Sequence, residues 1–177
     1  VAVTLWPPPE WVLRPNDPRG LLTTLPDRLA LMARTGVDAI VVLRFDLPLS
    51  QQSAGAFLSQ LRDELQMSTF MTGPNARIGK GGAGTPEVLR QLGGELAFDY
   101  REIRWHGHSQ INRSSAIRQV LARGDIAAVN AGLGRYYSLP GVVVRGAGEG
   151  RQLGFPTANL SHHSWLQVPG DGVYAGH

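Results

Sequence analysis

The chain has 177 residues, of which 42% are hydrophobic, and its formal net charge is +3. No apolar run reaches the ~18 residues that a membrane-spanning helix needs, and the absence of cysteine excludes disulfides, thiolate metal sites and a cysteine nucleophile. Of the 17 basic residues only Lys80 is a lysine, and the arginines alternate with acids rather than forming a basic patch. The composition therefore predicts a soluble, cytoplasmic protein that binds neither membranes nor nucleic acid.

Over residues 1–134, short apolar segments alternate with helical periodicities. The predicted strands, which are apolar or β-branched, are 1–5, 39–45, 69–72 and about 96–105. One helix is predicted to begin after Thr24, with Pro26 in its first turn, and to stop at Gly36. Another is predicted to begin after Thr85, which Pro86 follows. The spacing of the apolar residues from Phe57 to Leu65 predicts another helix. Alternating strands and helices indicate an α/β fold with a parallel sheet that is covered on both faces.

Further helices are predicted toward residue 134, and the pattern then changes. Ser114 or Ser115 is expected to cap a helix that ends at Gly124, and Asp125 to start a short helix to about Gly132. Residues 135–177 carry strand-like segments separated by Gly and Pro, so a β-rich second domain is predicted there. Because so few residues cannot close a sheet or barrel, and both chain ends are strand-like, we expect an internal piece of a longer protein.

The glycine-rich loop GPNARIGKGGAG, residues 73–84, lies between a predicted strand and a predicted helix. Parallel-sheet proteins place phosphate-binding loops at this position. The spacing differs from a P-loop, because five residues separate Gly73 from Gly79 and Gly81 follows Lys80 where Ser or Thr is required. The residues alone favour anion binding and a flexible surface loop equally.

The segment NRSSAIR, residues 112–118, is a second candidate site. Ser114 and Ser115 at a helix start, with Arg118 one turn later, suit a phosphate. The alternative is an ordinary helix cap with a surface arginine, and the residues alone favour this alternative. The pair His106 and His108 has no third ligand nearby in sequence, so it predicts no metal site.

The stretch GEGRQLGFPTANL, residues 148–160, is a third candidate. Gly148 and Gly150 allow close backbone approach, and Arg151 adds a positive charge. Thr157 and Asn159 offer two neutral oxygens on the same side of an extended segment. Oxygens of this kind suit Mg²⁺ bound with a nucleotide phosphate, and the alternative is a glycine-rich turn followed by an edge strand.

The run GAGEGRQLGFPTANL, together with Pro169 and the GVYA at 172–175, resembles the start of a flavokinase domain. Six upstream landmarks resemble the other half of the bacterial bifunctional riboflavin kinase/FMN adenylyltransferase (FAD synthetase) family. They are TLWPPPEWVL (4–13), LTTLPDRLALMARTGVD (22–38), Phe45-Asp46, TGPNARIGKGGAGT (72–85), SSAIRQVLARGDI (114–126) and AGLGRYYSLPGVVV (131–144). The resemblance implies a Rossmann-like nucleotidyltransferase domain at 1–134 and the start of a β-barrel riboflavin kinase domain at 135–177.

The same resemblance implies FAD biosynthesis in two reactions. Riboflavin takes the γ-phosphate of ATP to give FMN, and FMN then attacks the α-phosphate of a second ATP to give FAD and pyrophosphate. The implied ligands are the small molecules ATP, riboflavin, FMN and FAD, with Mg²⁺ as the cofactor. Two alternatives remain open: riboflavin kinase alone with a degenerate adenylyltransferase half, and a nucleotide- or nucleic-acid-binding module without chemistry.

Carried over by position, the resemblance assigns Thr157 and Asn159 to Mg²⁺ and the ATP phosphates of the kinase. Gly148, Gly150 and Arg151 fall in the neighbouring nucleotide loop. The resemblance also implies roles for two further groups. Ser114, Ser115 and Arg118 match the second nucleotide-binding signature, beside the adenylyl-transfer site, and the flavin-pocket candidates are Gly73, Asn75, Arg77 and Gly79.

The chain departs from the family pattern at four positions. Family members usually carry a serine at Arg113, aromatic residues at Ala76 and Ile78, and a histidine at Pro8. The H-x-G-H phosphate motif is expected upstream of the first residue, and the catalytic glutamate of the kinase downstream of the last. No residue here is therefore assigned a catalytic role, and we expect the 177-residue chain by itself to turn over neither reaction.

Overall fold

The computed structural model describes residues 1–103, 113–146, 154 and 157–176. The strands are β1 (Ala2–Trp6), β2 (Ile40–Arg44), β3 (Thr69–Thr72), β4 (Asp99–Glu102), β5 (Val142–Val144) and β6 (Asn159–Ser161). The α-helices are α1 (Pro9–Leu13), α2 (Leu25–Ala33), α3 (Leu47–Gln51), α4 (Ala54–Leu65), α5 (Pro86–Glu95), α6 (Ser114–Ala122) and α7 (Ile126–Leu133). A short 3₁₀ turn, Lys80–Gly82, lies between β3 and α5.

The strands associate in pairs. β1 pairs with β2, and β3 pairs in parallel with β4, with Thr69 opposite Asp99 and Thr72 opposite Glu102. The parallel pair is connected through α5, as parallel strands require a crossover. β5 and β6 are antiparallel. The α/β fold class predicted from the alternating pattern is confirmed.

The chain divides into two compact units. Unit 1 consists of Val1–Ala2, Asp17–Val41 and His108–His177, and unit 2 consists of Val3–Asn16 and Val42–Gly107. The buried centre of unit 1 is Ile117, Leu121 and Val129, on α6 and α7. That of unit 2 is Leu58, Leu61, Leu89 and Phe98, contributed mainly by α4 and α5. The domain boundary between residues 134 and 135 stays a prediction.

Within unit 1, the segment after β6 binds to residues from much earlier in the chain. The amide of Leu21 donates to the carbonyl of Trp165 at 2.8 Å, and the amide of Gln167 donates back to Leu21 at 2.8 Å. The amide of Gly170 donates to the carbonyl of Leu121 at 3.0 Å. These bonds fix residues 165–170 against the start of α2 and the end of α6.

Three predicted helix starts are confirmed in detail. The hydroxyl oxygen of Thr24 accepts from the amide of Asp27, that of Thr85 from Val88, and the carboxylate of Asp125 from Ala128. Each bond satisfies an amide that has no partner inside the helix.

Thr24 offers a sensitive test of this capping. It is buried, it accepts from the Asp27 amide at 3.2 Å, and its hydroxyl donates to the Asp27 carboxylate at 2.6 Å. We expect Thr24→Ala to lower the free energy of unfolding by about 1–2 kcal/mol, because it removes both bonds. Urea denaturation measures this. Thr35→Ala, which removes an exposed hydroxyl bonded to the Met32 carbonyl, is the control, and an equal loss in both variants would contradict the prediction.

Two local predictions differ from the structure, and two short helices were not predicted. Ser114 is the first residue of α6 rather than its cap, because Arg113 already has the extended backbone of an N-cap, with φ −110° and ψ 140°. The Arg113 side chain makes no capping hydrogen bond to this helix. β4 is shorter than predicted, because Leu96 terminates α5 and Ala97 has a left-handed φ of 57°, while residues 104 and 105 lie outside the described residues. The short helices α1 and α3 were not predicted, and α3 forms because the Asp46 carboxylate accepts from the Leu49 amide.

None of the helices in the described parts of the chain combines the length and the apolar character needed to cross a membrane.

Candidate functional site

The glycine-rich loop, residues 73–84, begins where β3 ends. It is closed on itself, because the amide of Ile78 donates to the carbonyl of Gly84 at 3.2 Å and the amide of Gly84 donates to Ile78 at 2.8 Å. The amide of Ala76 also donates to the Gly73 carbonyl at 3.2 Å. The loop is thus a defined structure at the carboxyl end of the parallel β3–β4 pair, where parallel sheets bind ligands.

Gly79 fixes this loop against the start of α4. Its φ is +74°, and a Cβ atom there would lie 2.4 Å from the amide nitrogen of Ala54. The next amide, that of Lys80, donates to the carbonyl of Gln52 at 2.7 Å. A glycine is therefore required both for the backbone conformation and for the close approach of two chain segments.

The side chains of the loop alternate between solvent and the core of unit 2. Asn75 and Arg77 are exposed, and Arg77 Nη1 donates to the Ala76 carbonyl at 3.1 Å. Ala76 and Ile78 are partly buried and pack against the apolar cluster of unit 2. The structure thus brings the flavin-pocket candidates Gly73, Asn75, Arg77 and Gly79 together on one loop, and it gives Ala76 and Ile78 a packing role.

Charged and polar groups next to the loop were not identified from the sequence. The Thr72 and Tyr100 hydroxyls lie 2.9 Å apart, and the Arg90 guanidinium carbon lies 5.9 Å from the centre of the Tyr100 ring. The pKa of Glu87 is lowered by the backbone hydrogen bond at the helix start and by the Thr85 hydroxyl, with a further contribution from the charges of Arg90 and Arg77. Two sequence features could have indicated these groups: the alternation of side chains along β4, which contains Tyr100, and the helix cap at Thr85, which lies beside Glu87.

The helix start at Ser114 has a different character. Ser114 and Ser115 are exposed in the first turn of α6, which has nine residues, and the side chain of its N-cap residue Arg113 does not cap the first-turn amides. Arg118 is half-buried, and its Nε donates to the carbonyl of Gly20 at 2.6 Å. Arg118 is therefore not the surface arginine of the alternative interpretation. It holds the chain immediately before Leu21.

Thr157 and Asn159 are both exposed in unit 1. Asn159 lies in β6 opposite Val144, and its side chain covers Gly146, where a Cβ atom would lie 1.5 Å from Asn159 Nδ2. The glycine at 146 is thus needed for the Asn159 side chain to occupy this position. The companion residues Gly148, Gly150 and Arg151 lie outside the described residues, as do His106 and His108.

The candidate residues are divided between the two units. Gly73, Asn75, Arg77 and Gly79 belong to unit 2, whereas Ser114, Ser115, Arg118, Thr157 and Asn159 belong to unit 1. Across the described residues, His, Asp and Glu side chains form no group of three that could hold a metal ion.

Tyr137 anchors the segment between α7 and β5. Its hydroxyl donates to the carbonyl of Gln167, its amide donates to Asn130 Oδ1 at 2.7 Å, and its ring packs against the core of unit 1. Burial raises the pKa of Tyr137 above its usual value, and the charge of Arg135 opposes this shift. The neutral phenol is therefore the form that the folded chain favours.

The raised pKa makes a pH-dependent prediction. The stabilisation from Tyr137 is complete below the unfolded-state pKa of about 10 and is lost as the pH rises through the folded-state value. We expect Tyr137→Phe to cost about 1 kcal/mol at pH 7, because the bond to Gln167 is lost. Its stability should also fall less steeply than that of the wild type above about pH 10. Urea titrations from pH 7 to pH 11 test both effects, and equal slopes for the two proteins would contradict the second.

Comparisons with known proteins extend these observations. Residues 1–116 match the model of the FAD synthetase family, and residues 133–177 match that of riboflavin kinase. The chain is 32% identical over 176 residues to the bifunctional riboflavin kinase/FMN adenylyltransferase of Bacillus subtilis (strain 168), covering 98% of this chain and 55% of that protein. It is 34% identical over 156 residues to the protein of the same name from Escherichia coli (strain K12), covering 87% of this chain and 50% of that protein.

A solved structure supports the fold. A crystal structure titled as a macrolide-efflux protein from Streptococcus pneumoniae superposes with a TM-score of 0.85 at 24% identity. The match covers 97% of this chain and 56% of that one, and it is evidence for the fold alone. The chain spans about half the length of the curated relatives that it matches. Through residues 1–116, which are most of its length, the chain belongs to the FAD synthetase family.

Proposed function

We propose that the protein carrying this chain makes FAD from riboflavin in two ATP-dependent steps, phosphorylation to FMN and adenylylation of FMN. Mg²⁺ is the proposed cofactor and the cytoplasm the proposed location. The observation that carries the proposal is the closed glycine loop at the carboxyl end of the parallel β3–β4 pair, in a chain of the FAD synthetase family. Parallel sheets form ligand crevices at that edge.

For the adenylyl transfer, we assign FMN binding to the loop of unit 2. Asn75 and Arg77 are its exposed polar side chains, so they are available to the polar atoms of a flavin or a phosphate. Gly73 and Gly79 shape the backbone that carries them. Ala76 and Ile78 stand where family members usually carry aromatic residues, and both pack against the apolar cluster of unit 2. These two positions therefore offer no aromatic ring to the flavin, and we assign FMN binding to polar contacts.

The phosphates of the adenylyl-donating ATP are assigned to the start of α6. Its first-turn amides are not capped by the Arg113 side chain, and Ser114 and Ser115 add exposed hydroxyls beside them. Helix N-termini bind phosphates because these amides and the helix dipole both favour negative charge. Arg118 is assigned a positioning role, because its Nε is bonded to Gly20.

The kinase reaction is assigned to Thr157 and Asn159. Both side chains are exposed and offer neutral oxygens, which fits a cation that takes few protein ligands and shares the rest with phosphate and water. When bound, Mg²⁺ neutralises charge on the phosphates of ATP during phosphoryl transfer. Glycine at 146 leaves the space that the Asn159 side chain occupies.

Variants that act on separate sites test the proposal. In the protein expressed from the whole reading frame, Asn159→Ala should lower the rate of FMN formation from riboflavin at least about tenfold, because a ligand of the phosphates is lost. FAD formation from added FMN should change less than about twofold. Arg77→Ala should show the reverse pattern. Ser161→Ala, two residues along β6 from Asn159, is the matched control and should affect neither rate.

The outcomes distinguish the alternatives. Separate loss of the two rates supports the two assigned sites. FMN formation without any FAD formation supports a riboflavin kinase with a degenerate adenylyltransferase half. Equal loss of both rates in each variant would contradict the assignment of separate sites, and salt-sensitive polynucleotide binding without either reaction would favour the binding module.

A further inference from the structure

A cavity of about 450 Å³ in unit 1 is not accounted for by the sites above. It is lined by residues of α2, by Arg34 directly after that helix, and by residues of the segment 135–138 that follows α7. Its lining residues lie in two of the family landmarks, 22–38 and 131–144, but the resemblance assigns a binding role to none of them. Its volume is within the range of small-molecule sites, which are clefts or cavities of roughly 300–1,000 Å³.

The wall that follows α7 is held in place by Tyr137. That residue is anchored through its amide to Asn130 Oδ1 and through its hydroxyl to Gln167, and its ring packs into the core. Its neighbours Tyr136 and Ser138 line the cavity instead. The side chains around the cavity are therefore presented by a fixed backbone, which reduces the entropy lost when a ligand binds.

The cavity carries an excess of positive charge. Arg34 and Arg135 line it together with one carboxylate, Asp27, which accepts a 2.6 Å hydrogen bond from the Thr24 hydroxyl. Among the residues that the structure describes, neither arginine forms an ion pair with a carboxylate. Arg135 Nη1 donates to the Tyr136 carbonyl at 2.8 Å, and the remaining guanidinium donors of Arg135, together with those of Arg34, suit a phosphate, whose oxygens accept paired hydrogen bonds from arginine.

The rest of the lining suits an aromatic group. The Tyr136 side chain is 73% exposed, so a large part of it is accessible to a ligand, and Leu31 adds apolar surface from α2. Ser138 adds a hydroxyl. We propose that this cavity binds a nucleoside monophosphate, with the phosphate held by Arg34 and Arg135 and the base against Tyr136.

Calorimetry with AMP tests the proposal on the protein expressed from the whole reading frame. Arg34→Gln and Arg135→Gln should each weaken AMP binding about tenfold, because each removes charged hydrogen bonds to the phosphate. Tyr136→Ala should weaken AMP binding by a similar factor and leave the binding of ribose 5-phosphate within about twofold, because the base is absent there. Arg44→Gln, an exposed arginine of β2 outside the cavity, is the matched control and should change nothing.

A double variant separates this cavity from any other AMP site. AMP binding to the Arg34→Gln/Arg135→Gln chain with the wild-type affinity would overturn the proposal, as would the absence of AMP binding up to about 10 mM. Equal affinities for ribose 5-phosphate and AMP would overturn the assignment of the base to Tyr136. Arg34→Lys keeps the positive charge but loses the paired donors of the guanidinium group. Its affinity for AMP should lie between those of the wild type and Arg34→Gln.

Discussion

Gly79→Ala is expected to lower the free energy of unfolding by about 3 kcal/mol, more than the same substitution at Gly81 in the same loop. About 2 kcal/mol arises because an L-residue is forced to a φ of 74° with a ψ of −177°, a conformation that essentially only glycine adopts, and the remainder because the new Cβ atom overlaps the Ala54 amide. Relief of the overlap would separate the loop from the start of α4. Urea denaturation monitored by circular dichroism measures the loss.

Gly81→Ala is the matched control, because it makes the same chemical change two residues away. Gly81 also has a positive φ, of +64°, but no atom lies within 4 Å of its added Cβ. Its cost should therefore be the backbone term alone, about 1–2 kcal/mol. If the two variants lost the same stability, the contact between the loop and α4 would have no energetic importance.

Leu121→Ala should destabilise the chain by about 2–5 kcal/mol, because it leaves a cavity at the centre of unit 1. Leu121 is fully buried among Ile117 and Val129, and its carbonyl accepts from the Gly170 amide. The same change at Leu160, which is 45% exposed in β6, should cost less than about 1 kcal/mol. Comparable losses at the two leucines would contradict the assignment of the core.

Local features of the fold could be predicted from the sequence because their causes are local. The helix starts at Thr24, Thr85 and Asp125 depend on a side chain and an amide three residues later, so the pattern contains all the relevant information. The bounds of β3 were predicted from its own short apolar segment. Its parallel pairing was predicted from the alternation of strands and helices. The cap of α6 was predicted wrongly, because the extended backbone at Arg113 moves the helix start by one residue.

The candidate site was less predictable, because its geometry depends on contacts between distant residues. Arg118 bonds to a carbonyl 98 positions earlier, and no pattern around residue 118 indicates that partner. The requirement for glycine at 79 was visible as a run of glycines, but its cause, the approach of Ala54, was not. The cavity between α2 and the segment after α7 also arises only when the two segments are brought together.

A time course of flavin products tests the proposed conversion of riboflavin to FAD most directly. The protein expressed from the whole reading frame is incubated with riboflavin, ATP and Mg²⁺, and the flavins are separated by chromatography. We expect FMN to appear first and FAD to follow at its expense, with pyrophosphate released in step with FAD. Riboflavin that remains unchanged throughout, under conditions where the protein is folded, would contradict the proposed function.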